Sequence, residues 1–240
     1  MSNVSKHERA TKRARPIACR DCDLNELCRL AVLIAHHDGR ESRTAVGSWR
    51  TIERGAALFR TGDAASGLFA VRQGMIKSVH LTEDGHERIV AFHAPGEIIG
   101  FEAFGADAYI CDAIAVERSL CCELPLPEHG AQSPHAHSVL TSIVRLLSTA
   151  APLTAPLTRG SARERVTRFL FDLSTRLQKR GMNGRHFKLP MSRTEIANFL
   201  DTRVETVSRT FQQLHRERAI CIRGGTVELL DLTPLSEAAR

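Results

Sequence analysis

Ser192-Arg193-Thr194-Glu195-Ile196-Ala197-Asn198-Phe199-Leu200-Asp201-Thr202-Arg203-Val204-Glu205-Thr206-Val207-Ser208-Arg209 is the stretch on which the reading of this 240-residue chain turns. Ser192 and Glu195 have the spacing at which a serine N-cap and a glutamate at N3 satisfy each other's backbone N–H groups and start a helix. That helix is predicted over Arg193–Leu200, with Ile196, Ala197 and Leu200 inward. Asp201-Thr202-Arg203 reads as a tight turn, and Thr202 and Glu205 have the spacing of a further capping box. In the next helix Val204, Val207, Phe211 and Leu214 fall on one stripe, and Glu205, Ser208, Arg209 and Gln212 on the opposite face.

Two helices joined by so short a turn form a helix-turn-helix, whose second helix enters the major groove of double-stranded DNA. Arginine donates two hydrogen bonds to a guanine edge, glutamate accepts from cytosine N4, and serine meets a base or a phosphate. Glu205, Ser208 and Arg209 are therefore candidate base readers, with Arg203, Thr206 and Gln212 as further DNA-binding candidates. Downstream, Ile220–Arg223 and Thr226–Leu229 flank Gly224-Gly225, a hairpin signature, and a helix-turn-helix followed by a hairpin is a winged helix. Upstream, Ser161 and Glu164 make another capping box, opening a helix through Val166, Phe169, Leu170, Leu173 and Leu177 that Gly181 stops, and Arg185–Leu189 has the texture of a short strand.

Charge follows the same division. The chain carries a net charge of +6, but residues 158–240 hold sixteen basic and nine acidic side chains, whereas residues 16–157 hold twelve and seventeen. A basic module of this kind attracts polyanions. From Trp49 to Leu126 short runs rich in Val, Ile and Phe alternate with turn signals, among them Gly62-Asp63, Asp84-Gly85 and Pro95-Gly96, which predicts an all-β roll. Residues 135–150 change to helical spacing through Val139, Leu140, Ile143, Val144, Leu146 and Leu147. Pro152 and Pro156 should end or kink that helix, since an interior proline costs about 3 kcal/mol.

Near the N-terminus Cys19, Cys22 and Cys28 are spaced C-x2-C-x5-C, behind a basic, disordered-looking arm over residues 1–15. Thiolates bind iron or zinc tightly, and such sites normally take four sulfurs, so this stretch needs a distant fourth cysteine. The chain holds seven cysteines and its first residues lack an apolar signal region, so a reducing, cytoplasmic compartment is expected and clustered cysteines read as metal-binding or redox-active. No run approaches the ~20 apolar residues that span a bilayer, so no membrane association is expected. Enzyme signatures are missing too: His129, His135 and His137 form no His-Glu-x-x-His run, and the chain has neither a phosphate loop nor a nucleophile elbow.

With these residues in view the chain resembles the Crp–Fnr family of bacterial transcription regulators over nearly all of residues 17–235. Glu205-Thr206-Val207-Ser208-Arg209 matches that family's signature, and the cysteine spacing is similar to its oxygen-sensing, Fnr-type branch. The resemblance implies an α+β architecture: an N-terminal β-roll of the cyclic-nucleotide-binding, jelly-roll type, a connecting dimer helix, and a C-terminal winged helix-turn-helix. It divides the chain into the arm, a cluster-binding segment and sensor roll at 16–134, a dimerisation helix and proline-broken linker at 135–160, and a DNA-binding domain at 161–240.

The resemblance further implies a [4Fe–4S] cluster held by Cys19, Cys22, Cys28 and Cys122, the last in the family's run Cys122-Glu123-Leu124-Pro125; zinc is the alternative with the same ligands. Cys121 adjoins Cys122, and on a strand the two point to opposite faces, so only one can serve. A homodimer is implied that binds an inverted repeat of TTGAT through Glu205, Ser208 and Arg209, with the loop Thr82–Glu87 touching RNA polymerase, and oxygen would weaken the dimer. A cyclic nucleotide is not expected as effector: Crp-type pockets hold the cyclic phosphate with an arginine, and here none lies between Glu97 and Arg118. Asp201 stands where the family's turn usually has glycine.

Overall fold

The computed structural model describes residues 49–101, 108–125 and 160–231. The arm, Cys19, Cys22 and Cys28, the helix predicted at 135–150 and Pro152 and Pro156 lie outside the described residues.

Among the described residues eight strands build the first domain: β1 (Trp49–Ile52), β2 (Ala57–Phe59), β3 (Gly67–Gln73), β4 (Ile76–Leu81), β5 (Glu87–His93), β6 (Ile98–Ile99), β7 (Asp112–Ala115) and β8 (Ser119–Pro125). They form two four-stranded sheets, ordered β1-β8-β3-β6 and β2-β7-β4-β5. The inner faces share one core that includes Ile52, Phe69, Val71, Ile76, Ile99, Ala113 and Cys121. Phe59 stacks on Tyr109 with ring centroids 3.8 Å apart, and the Tyr109 hydroxyl donates to the Gly67 carbonyl at 2.6 Å. The aromatic bodies fill the roll while the polar tip is satisfied locally. Strands β1 and β7 escape a hydrophobicity reading. β1 buries only Ile52, and β7 buries the small side chains Ala113 and Ala115.

The second domain, the head, holds α1 (Ala162–Lys179), β9 (His186–Lys188), α2 (Arg193–Phe199), α3 (Val204–Arg216), β10 (Ile220–Arg223) and β11 (Thr226–Leu229). Both capping boxes, Ser161 with Glu164 and Ser192 with Glu195, are formed. The box expected at Thr202 is not. Helix α3 begins at Val204 with Arg203 as its N-cap, and no side chain caps it. Thr202 belongs to the preceding end, because its N–H donates to the Ala197 carbonyl at 2.9 Å. The wing turns on Gly224 and Gly225, whose φ values of 54° and 81° suit the two-residue hairpin, and β9 pairs onto β11 as a third strand.

Head and roll share buried surface. Val79, Ile89, Phe92 and Val116 of the roll join Phe169, Ile196, Phe211 and Leu214 of the head in one apolar cluster. At the junction the rings of Phe92, Phe169 and Phe199 meet edge to face, with centroids 5.1–6.2 Å apart.

Candidate nucleic-acid interface and cysteine face

Helix α3 is held by its apolar stripe: Val207, Phe211 and Leu214 are fully buried. The opposite face carries Glu205, Arg209 and Gln212, all exposed, with Ser208 and Thr206 half-buried and Arg203 exposed at the N-cap. Among the described residues, the side chains of Glu205, Ser208, Arg209 and Gln212 have no hydrogen-bond or ion-pair partner. Because Glu205 is the second residue of its helix, its carboxylate is not drawn back to an N-cap.

Supports for this helix lie behind it. Asp201 adopts φ 51°, the left-handed conformation the turn demands and that aspartate tolerates better than most residues. The Arg165 guanidinium donates to the Leu200 and Asp201 carbonyls, both at 2.9 Å, and pins the turn to α1. The Arg193 guanidinium lies 3.7 Å from the centroid of the Phe211 ring, and burial holds its pKa below the usual arginine value. No sequence signal singled out Arg165 or Arg193, since each reads as one more charge in a basic domain.

On the roll, β8 lies between β1 and β3. Cys121 points between the sheets and is wholly buried; burial first, then the neighbouring Cys122, push its thiol up to about 12. Cys122 points to the outer face and is half-buried. It stands in a cross-strand row with Trp49, Ala70 and Ile98. Trp49 is exposed with Arg72 over its ring at 5.3 Å, whereas Ala70 and Ile98 are buried. Glu123 faces the other way and takes a forked contact from Arg50, at 2.9–3.1 Å. Among the described residues no three His, Cys, Asp or Glu side chains gather into a metal site; three of the four candidate ligands precede residue 49.

On the other sheet, the β4–β5 hairpin presents Glu83 and Asp84 to solvent, and its loop is braced by the Thr82 N–H and hydroxyl, both donating to the His86 carbonyl. Glu97 is committed elsewhere: it accepts from Arg176 at 2.9 Å and from the Ala94 N–H at 2.9 Å.

Residues 49–130 match a model of the cyclic nucleotide-binding domain, and residues 164–238 match the Crp-like helix-turn-helix domain. The chain is 33% identical over 227 residues to the fumarate and nitrate reduction regulatory protein of Vibrio cholerae, covering 93% of this chain and 90% of that one. It is 34% identical over 232 residues to the transcriptional activator protein anr of Pseudomonas aeruginosa, covering 95% of each. The chain belongs to the Crp–Fnr family. Among solved structures it is similar to FixK2 from Bradyrhizobium japonicum, with a TM-score of 0.67 and 25% identity over 80% of this chain and 96% of that one. As a Crp–Fnr member it is a DNA-binding transcription regulator rather than an enzyme, of a family that typically acts as dimers. No described helix is long and apolar enough to cross a membrane.

Proposed function

We propose that this Crp–Fnr regulator is a cytoplasmic oxygen sensor that binds DNA as a homodimer and holds a [4Fe–4S] cluster through Cys19, Cys22, Cys28 and Cys122. The observation that carries the reading is the division between the two adjoining cysteines of β8. Cys121 is sealed between the sheets, while Cys122 reaches the outer face, where a segment from before residue 49 can meet it. The chemistry of the set fits: four thiolates suit an iron–sulfur cluster. Relatives named for fumarate and nitrate reduction support the same direction. The cluster, when bound, supplies chemistry that responds to oxygen; Cys122 anchors it to the roll.

Glu205, Ser208 and Arg209 read a TTGAT inverted repeat, with Gln212 further along the same face and Arg203 and Thr206 at its start. The braced Thr82–Glu87 hairpin, with its exposed acids, is the surface offered to RNA polymerase. No cyclic nucleotide is taken as effector: Glu97 is bound to Arg176, and aromatic rings pack the interior of the roll.

The test is anaerobic purification followed by an absorbance spectrum and iron, sulfide and zinc analysis. Wild type and Cys121→Ser carry iron and sulfide in equal amounts, and Cys122→Ser does not. A colourless protein with one zinc would hand the site to a zinc-based regulator on the same fold, and equal iron in all three proteins would remove Cys122 from the ligand set.

A further inference from the structure

Among the described residues β5 is the outer strand of its sheet, and alternate backbone groups along it have no strand partner there. Asn198, the sixth residue of α2, supplies one. Its side-chain N–H donates to the Glu87 carbonyl at 2.8 Å, and its side-chain carbonyl accepts from the Ile89 N–H at 2.7 Å. Those groups lie two residues apart on one edge, the spacing an adjoining strand would meet. The asparagine amide therefore stands in for a peptide unit, and a slip of one residue along β5 would lose both bonds.

The same strand is gripped again farther along. Arg176 of α1 donates to the Phe92 carbonyl at 2.8 Å and pairs with Glu97, and the Arg180 side chain packs where a Cβ on Gly96 would stand, 2.8 Å from its Cδ. Lys77 of β4 reaches Glu195 at the start of α2, at 3.0 Å, and Lys188 of β9 pairs with Glu117. One attachment would leave the head free to pivot; two along a single strand fix its orientation. From Asn198 the chain of rigid links continues through α2 and the Arg165-pinned turn to α3.

We propose that Asn198, assisted by the Lys77–Glu195 pair, is a positioning clamp. It seats the helix-turn-helix on the roll's own β5, so the separation of the two recognition helices is set by how the two protomers pair and not by the play of the linker between the domains. The proposal rests on the dimeric, inverted-repeat reading above. Half-sites one helical turn apart demand a separation of about 34 Å. One added base pair moves a half-site by about 3.4 Å, more than a held helix can follow.

The clamp is tested first without DNA, by amide hydrogen exchange on the full chain. In Asn198→Ala the Ile89 amide exchanges about tenfold faster than in wild type; unchanged exchange at Ile89 overturns the clamp. The second arm is fluorescence-anisotropy titration of anaerobically purified protein. The duplexes carry a single TTGAT half-site, or the inverted repeat at its preferred spacing and at one and two base pairs more. Wild type binds one spacing, whereas Asn198→Ala binds that duplex about tenfold more weakly, flattens the preference between spacings and leaves the single half-site unaffected. A spacing profile identical to wild type, or an equal loss on the single half-site, overturns the positioning role. Lys77→Gln moves the same readings in the same direction by less, and serves if Asn198→Ala does not fold. Failure of wild type to bind any of these duplexes would count against the functional reading, and the clamp would then stand or fall on the Ile89 exchange.

Discussion

Helices α2 and α3 are consecutive, amphipathic and joined by one turn, yet their polar side chains are used in opposite ways. On α2, Glu195 caps its own helix and binds Lys77, and Asn198 bonds β5. On α3, Glu205, Ser208, Arg209 and Gln212 are left without partners among the described residues. Sequence patterning presents both faces as polar and solvated. The difference is one of surroundings: α2 lies against the edge of β5 and bonds its backbone, whereas among the described residues none bonds the outer side chains of α3. A polar face committed inside the molecule braces the motif, and one left open is available to a partner.

The strongest way to break the comparison is to empty the junction beneath α2. Phe92 is 2% exposed and touches both Phe169 and Phe199. Phe92→Ala is expected to cost about 3–5 kcal/mol of stability, measured by urea unfolding, with hydrogen exchange in α2 rising well above that in α1. On the other helix, Arg209→Ala should cost about 1–3 kcal/mol in specific DNA binding and leave the urea midpoint nearly unchanged, as surface substitutions usually do. A stability loss at Arg209 as large as the loss in binding would erase the distinction between the two helices.

The smallest effect sharpens it. Burial raises the pKa of Glu195, but hydrogen bonds from the Ser192 backbone, Lys77 and the Ser192 hydroxyl outweigh that, and the net shift is downward. A carboxylate with a depressed folded-state pKa stabilises the fold above its unfolded value of about 4.3, and that stability is lost as pH falls through the folded value. Glu195→Gln should therefore be less stable than wild type at pH 7, and the two should converge as pH drops below the ordinary carboxylate range. A gap that persists in acid would place the effect in shape and not in charge. Asp172 works with the opposite sign: burial raises its pKa, although Arg176 lies 3.0 Å away, close enough for an ion pair but not aligned for a hydrogen bond. Its ionised form subtracts from stability as pH rises, so the Glu195 comparison is best made within the Gln variant pair.

Much of the fold was legible because local chemistry writes it directly. Ser161 with Glu164 and Ser192 with Glu195 announce helix starts, Gly224-Gly225 announces a hairpin, and alternating apolar residues announce β3, β4 and β5. Thr202 misled because its spacing to Glu205 imitates a capping box, while its N–H was already needed to close α2. Strands β1 and β7 left little trace, because a strand that buries one isoleucine or two alanines has almost no hydrophobic signature.

The sequence alone specifies the winged helix, the residue types on the outer face of α3 and the cysteine spacing, since each depends on neighbours a few positions away. It could narrow Cys121 and Cys122 to one outward-pointing thiol but not say which, and it was silent on Asn198, Arg165 and Lys77. Those outcomes belong to the tertiary structure. Which face of β8 is sealed depends on the second sheet, and whether an amide meets water or the edge of β5 depends on a strand 109 residues away.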